Sequence, residues 1–159
     1  MTDNLTSDFG TGLAQVGMVL DLLRFSAHEA VDDIAPLLHP EMRVLAAPGI
    51  APSHPYETRE DFLEYFAEAR RNGVLIEPDL REVRFSPTGA IVVSGSLRMT
   101  SRAVTAETPA WFVYTFRDGL ILSLENHLSA AMADEAAGIP VGAGSSDPDG
   151  CLTSPASAR

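Results

Sequence analysis

The sequence predicts an α+β domain in which three N-terminal helices pack on a curved, mostly antiparallel sheet, followed by a short C-terminal helix. Three observations lead to this fold class. Apolar residues recur at helical spacing before residue 73, apolar and polar residues alternate between residues 80 and 127, and residues 128–138 are rich in alanine. Helical runs followed by strand runs are typical of a sheet with helices on one face.

The first two helices are predicted from apolar spacing and one capping signal. In the first helix, residues three or four positions apart share one face: Leu13, Val16, Leu20 and Leu23. Ser26 and Glu29 match a capping box and are predicted to open the second helix. That helix is predicted to end at His39-Pro40, and its apolar positions are Ala30, Ile34, Leu37 and Leu38.

A proline-rich segment, residues 42–56, separates the second helix from the third. Its prolines keep the backbone out of helical geometry, so it is predicted to be a loop. Thr58 with Asp61 three residues later predicts the start of the third helix, and Asn72-Gly73 predicts its end.

The sheet is predicted from strands bounded by turn residues. Strands cover residues 80–85 and 90–100, joined by a turn at Pro87-Thr88-Gly89. The last two strands, from about residue 110 to residue 127, are joined at Arg117-Asp118-Gly119, where glycine accepts the positive φ of a tight turn. The domain is expected to span residues 12–138, between a flexible N-terminal tail, 1–11, and a disordered C-terminal tail, 139–159.

Composition excludes several function classes. The net charge of −11, with 22 acidic and 11 basic residues and no basic cluster, disfavours binding to nucleic acid or to anionic membranes. The single cysteine, Cys151, permits no intramolecular disulfide. We expect a cytoplasmic protein without a signal peptide or membrane span. The histidines lack metal-ligand spacing and no phosphate-binding loop is present, so we expect neither a metal nor a cofactor.

Three phrases carry a family resemblance: LLHPEMRVLAAPG, PYETREDFLEYF and RDGLILSLENHLSAA. With the order of elements, they resemble the SnoaL-like branch of the NTF2-like superfamily. That resemblance implies a cone-shaped fold whose concave sheet face encloses a pocket. Members include polyketide cyclases, ketosteroid isomerases, limonene-type epoxide hydrolases, dehydratases and non-catalytic binding or dimerisation domains.

The family's catalytic carboxylates have no equivalent in this chain. Comparison with the family puts the isomerase base at Ala46 or Ala47, a second polar position at Phe112 and the cyclase aspartate at Asn126. Asparagine can orient a ligand or a water, but it cannot act as a general base near neutral pH. The epoxide-hydrolase arginine corresponds to Arg98.

Five residues are predicted to carry any catalysis: Arg98, Asn126, His54, Tyr56 and His127. Arg98 shares a strand face with Ser94, and the resemblance implies that this face is concave. An arginine that reaches solvent at the strand end is an equal alternative, and Asn126 could instead satisfy backbone groups. His127 alternates to the face opposite Asn126, unless a bulge turns it inward.

The ligand-binding residues are predicted on the same strands: Ser96, Thr100, Phe112, Tyr114 and Leu124. Phe112 and Tyr114 are called the aromatic stripe here, and ordinary core packing is the alternative for them. The leading hypothesis is a cofactor-independent enzyme of cyclase, isomerase or epoxide-hydrolase type, acting on a hydrophobic, carbonyl-bearing or polycyclic small molecule. The alternative is a non-catalytic ligand-binding or dimerisation module. The resemblance also implies a homodimer formed through the sheet.

Overall fold

A computed structural model of the protein describes residues 3–27, 31–45 and 57–140. The four helices of this part have the following bounds: α1 Asp3–Ala27, α2 Val31–Ile34, α3 Arg59–Arg71 and α4 Ala130–Ala137. A 3₁₀ turn, Ala35–Leu37, follows α2. The strands are β1 Leu38–Leu45, β2 Leu75–Phe85, β3 Ile91–Thr100, β4 Thr105–Arg117 and β5 Leu120–His127.

The strands form one five-stranded sheet in the order β1-β5-β4-β3-β2. Strand β1 runs parallel to β5, and the other neighbours are antiparallel. Three helices precede most of the sheet and one short helix follows it, which confirms the predicted α+β class. None of the helices in the described residues is long and apolar enough to cross a bilayer.

Two apolar clusters lie on opposite sides of the sheet. The face that packs against α1, α2 and α3 is called the core face here, and its side chains include Ile91, Val93, Phe112, Tyr114 and Leu124. The opposite face, called the outer face, packs against α4, whose Ala133 and Ala137 contact Val92 and Val113. Because neighbours along a strand alternate between faces, these clusters assign every regular position of β3, β4 and β5 to a side.

Helix α1 differs from its prediction in extent and in buried face. It begins at Asp3, within the segment predicted to be a flexible tail. Its buried residues are Val19, Leu22 and Leu23, whereas Leu13 is 59% exposed and Leu20 is 44% exposed. Of the predicted face, Leu23 is buried and Val16 packs against the core, so the prediction was wrong for Leu13 and Leu20 only. Spacing alone could not separate neighbouring faces of one helix, and contact with the sheet selects the buried one.

Strand β1 takes the place of residues 42–45 of the predicted loop and of the last residues of the predicted second helix. The rest of the predicted loop, residues 46–56, lies outside the described residues. His39 and Pro40 lie in this strand, and Leu38 and Met42 point into the core with exposures of 2% each. The extended backbone is stabilised by parallel pairing with β5, which lies about eighty residues later in the chain. This long-range pairing is invisible to local spacing. The predicted capping box at Ser26 and Glu29 lies outside the described side chains.

The predicted start and end of α3 are confirmed. The Thr58 hydroxyl accepts from the Asp61 backbone N–H at 3.2 Å, while the Asp61 carboxylate accepts from the Thr58 backbone N–H at 3.1 Å. Gly73 ends the helix with a φ of 66°. The β4–β5 turn is confirmed as well, because Asp118 and Gly119 have φ values of 53° and 75°.

Candidate functional site

Asn126 is the polar side chain at the core-face end of β5. Its Cα partner across the sheet is Phe112 on β4, and two residues earlier Leu124 pairs with Tyr114. Phe112 is 7% exposed and Leu124 is 8% exposed, so the neighbours of the asparagine form an apolar wall. Asn126 therefore shares one face of the sheet with Leu124, Phe112 and Tyr114.

The Asn126 amide has unused hydrogen-bonding capacity. Its Oδ1 is buried and has no hydrogen-bond partner. Within the described residues, Nδ2 makes no hydrogen bond and is not fully buried, so it still reaches solvent. A buried acceptor without a partner costs about 1–3 kcal/mol, because water no longer donates to it. The amide is therefore poised to bind a polar group.

The aromatic stripe beside Asn126 cannot supply a base. The ring centroids of Phe112 and Tyr114 lie 6.4 Å apart, and the ring planes are tilted by 42° to each other. Tyr114 is 1% exposed, and burial raises the pKa of its hydroxyl far above the usual value. The phenol therefore keeps its proton at neutral pH and acts as packing or as a neutral hydrogen-bonding group.

Arg98 lies on the outer face, which corrects the expectation that it enters the pocket. Register places it opposite Glu107 on β4, and its Nη2 donates to the Glu107 carboxylate at 3.2 Å. Half of the Arg98 side chain is exposed. Alternation correctly grouped Ser94, Ser96, Arg98 and Thr100, but the helices cover the other set of β3 residues, which includes Ile91 and Leu97.

The two predicted ligand-binding residues on β3 share this outer location. Ser96 is buried and its hydroxyl donates to Glu107 at 2.7 Å, whereas Thr100 lies 3.5 Å from the Thr105 hydroxyl at the hairpin end. The hydrogen bond from Ser96 and the charge of Arg98 lower the pKa of Glu107. Ser96 and Thr100 therefore belong to a polar network remote from Asn126.

His127 also points to the outer face, as its alternation with Asn126 predicted. It pairs with Trp111 across the sheet, and its Nε2 lies 3.3 Å from the Glu125 carboxylate. The bulge of this hairpin lies between Thr115 and Phe116, too far from His127 to turn it inward. Glu125 was not singled out from the sequence, although its position two residues before His127 on a strand was the available signal.

His54 and Tyr56 lie outside the described residues. The chain leaves the described part at Leu45, which pairs with Glu125 immediately before Asn126, and returns at Glu57. The structure thus brings Asn126, Phe112, Tyr114 and Leu124 together, and it separates them from Arg98 and His127, as well as from Ser96 and Thr100.

A polar groove of about 670 Å³ runs along β1 and the start of α3, and sequence reasoning did not find it. Its floor includes the hydroxyls of Thr115 and Ser123, 2.6 Å apart. At one end Arg117 pairs with Glu41 and lowers the pKa of that carboxyl, and Arg117 Nε lies 3.3 Å from His39 Nε2. The lining residues are Pro40, Glu41, Met42, Arg43, Glu57, Thr58, Glu60, Thr115, Arg117, Leu122 and Ser123.

Residues able to hold a metal ion do not cluster in the described part of the chain. No group of three or more histidine, cysteine, aspartate or glutamate side chains lies close enough together there.

No protein-family model and no curated protein matches the sequence. Solved structures do match the fold. Bal32a, from a soil-derived mobile gene cassette, has a TM-score of 0.64 at 13% identity, with 80% of this chain and 98% of that chain covered. TerC, co-crystallised with polyporic acid, has a TM-score of 0.61 at 16% identity, with 77% and 96% covered.

Two further matches carry a family description. An NTF2-like protein of unknown function from Burkholderia pseudomallei has a TM-score of 0.61 at 16% identity, covering 78% of this chain and 97% of that one. A protein from Xanthomonas campestris described as a candidate polyketide cyclase has a TM-score of 0.59 at 13% identity, covering 77% and 95%. At these identities the likeness concerns the fold: this chain has the NTF2-like fold that the resemblance to SnoaL-like proteins implied.

Proposed function

We propose that the protein binds a small, largely apolar molecule on the core face of its sheet, with Asn126 as the polar contact. The observation that carries this proposal is the buried, unpartnered Oδ1 of Asn126. Native structures leave few buried acceptors unpaired, and those that remain often mark a place where another group binds.

The surroundings of Asn126 suit such a ligand. Binding pockets are mostly apolar with a few precisely placed polar groups, and here one amide stands beside Phe112, Tyr114 and Leu124. Asn126 itself is only half-buried although it lies on the helix-covered face, so solvent reaches part of the residue. TerC, which shares the fold, was co-crystallised with polyporic acid, and this supports an organic ligand for this chain.

Binding without catalysis agrees best with the chemistry of the described residues. At the positions of β3, β4 and β5 beside Asn126 the side chains are apolar or aromatic, and the Tyr114 phenol holds its proton too tightly to serve as a base. Arg98 and His127, the charged or titratable groups expected to assist, lie on the outer face with Glu107 and Glu125 as partners.

Calorimetric titration of the full chain with polyporic acid, followed by a panel of aromatic ketones, tests the proposal. Asn126→Leu keeps the side-chain size but removes both polar atoms, and it should weaken binding about tenfold or more, the loss expected for removed hydrogen bonds in a dry pocket. Arg98→Ala, on the outer face, is the matched control and should bind as the wild type does. An equal loss of ligand affinity in both variants, or a loss only in Arg98→Ala, would contradict a binding site at Asn126.

Acid–base catalysis is the second candidate function, and one structural observation favours it. Strand β1 ends at Leu45, whose partner Glu125 adjoins Asn126, and His54 and Tyr56 follow nine and eleven residues later in the sequence. Either residue would supply the proton-transferring group that the described core face lacks. Mass spectrometry of compounds incubated with the protein would detect conversion, and His54→Ala or Tyr56→Phe should abolish it while leaving ligand binding measurable.

A homodimer formed through the sheet stays a prediction. Helix α4 already covers Val113, so a second copy would have to use the uncovered part of the outer face near Trp111 and Leu45, which is 56% exposed. Analytical ultracentrifugation should then give a dimer for the wild type and a monomer for Leu45→Glu. Leu13→Glu, at a leucine of α1 that is 59% exposed, is the control that should leave the dimer intact.

A further inference from the structure

We infer that the ligand carries a hydrogen-bond donor immediately beside an acceptor, as in a lactam, a carboxylic acid or a ring hydroxyl next to a carbonyl, and that both edges of the Asn126 amide bind it. This inference rests on the proposed function and narrows its ligand class. The sequence pointed only to a carbonyl-bearing compound, which would use one edge of the amide.

Both edges of the amide are free in the described structure. Oδ1 is buried without a partner and requires a donor, while Nδ2 reaches solvent, has no partner and can donate. A primary amide offers these two groups side by side in one plane. A ligand that brings only a carbonyl would accept from Nδ2 and leave the buried Oδ1 unpaired. The free-energy cost of that buried acceptor would then persist in the complex.

The apolar wall favours a flat ligand and strengthens the pairing. Phe112 lies directly across the sheet from Asn126, and Leu124 is the next core-face residue on the same strand. In such low-dielectric surroundings, hydrogen bonds are stronger and an unmatched polar group is more costly than in water. Recognition should therefore depend steeply on the donor–acceptor pair and only weakly on the rest of the ring system.

The charge of the chain directs the inference towards a neutral ligand. The net charge is −11, and the described core-face neighbours of Asn126 include no cation that could pair with an anion. A carboxylic acid would therefore bind in its protonated form, whereas a lactam or a hydroxyl-carbonyl pair needs no change of protonation.

Two probes of nearly equal shape test the inference on the wild-type protein. 2-Quinolone presents an N–H beside a carbonyl, and 1-methyl-2-quinolone retains the carbonyl but loses the donor. We expect 2-quinolone to bind about tenfold more tightly by calorimetry, since the methyl compound leaves Oδ1 unpaired. Asn126→Leu should remove this preference, and Arg98→Ala should preserve it.

The outcomes separate this inference from the proposed function. Equal binding of both probes by the wild type, or a preference that survives in Asn126→Leu, would overturn the inference while the binding function stands. No binding of either probe, of polyporic acid or of aromatic ketones would overturn the proposed function and the inference with it. Tighter binding of the methyl compound would also contradict the two-edge contact.

Discussion

Arg84 on β2 is joined to Asp134 on α4 by an ion pair whose Nη2 and Oδ1 atoms lie 2.6 Å apart. The two side chains are 20% and 12% exposed, so solvent screens this pair much less than a surface pair. The carboxylate raises the pKa of Arg84. This pair links the C-terminal helix to the outer face of the sheet through a largely buried polar contact.

Asp134→Ala should destabilise the protein by about 2 kcal/mol, because it leaves Arg84 largely buried without its partner. Urea unfolding followed by circular dichroism gives the free energy of unfolding. Glu135→Ala, its exposed neighbour in the same helix, should change that free energy by no more than about 0.5 kcal/mol. Equal effects of the two substitutions would show that the ion pair is not stabilising.

The buried face of α1 can be checked with two leucines in the same helix. Leu22 is 2% exposed and Leu20 is 44% exposed. Leu22→Ala should cost about 3 kcal/mol through lost burial and the cavity left behind. Leu20→Ala should cost less than about 1 kcal/mol, since alanine is the better helix former and little packing is lost. If Leu20→Ala lowered the free energy of unfolding more than Leu22→Ala does, the helix face predicted from the sequence would be the buried one.

Gly95 and Gly17 should respond in opposite directions to alanine. A Cβ at Gly95 would lie 2.0 Å from the Asp79 carbonyl oxygen, which is backbone and cannot move aside, so Gly95→Ala should disrupt the pairing of β2 and β3. At Gly17 nothing lies within 4 Å, and Gly17→Ala should raise the free energy of unfolding by about 0.5–1 kcal/mol by favouring helix. Thermal unfolding of both variants shows whether each substitution raises or lowers the stability.

The polar network on the outer face predicts a pH effect. Glu107 has a lowered pKa, first because Ser96 donates to it and second because of Arg98. Its contribution to stability is therefore present above the ordinary pKa of a glutamate and is lost as pH falls through the lower folded pKa.

Carbon-detected NMR titration of the side-chain carboxyls tests this assignment. Ser96→Ala and Arg98→Ala should each raise the pKa of Glu107 towards its usual value. The carboxyl of Glu41, whose pKa is lowered by Arg117, provides an internal reference that should not move. An unchanged Glu107 titration in both variants would contradict the network.

The candidate site was predictable in part. The grouping of Phe112, Tyr114, Leu124 and Asn126 on one face follows from alternation within two strands, and the structure keeps it. The inward placement of Arg98, one of two equal alternatives, was wrong because alternation defines two faces without saying which one the helices cover. The groove beside Arg43 was missed because its walls come from strands and a helix far apart in sequence.

The sequence by itself determined the α+β class, the start and end of α3 and the Asp118-Gly119 turn, because capping, helix ends and tight turns depend on neighbouring residues. Only the tertiary structure decided that Leu38–Leu45 is a strand, that α1 buries Leu22 instead of Leu20, and that Asn126 lacks a partner. Each of these depends on contacts between segments distant along the chain, where burial and pairing outweigh the small local preferences of the backbone.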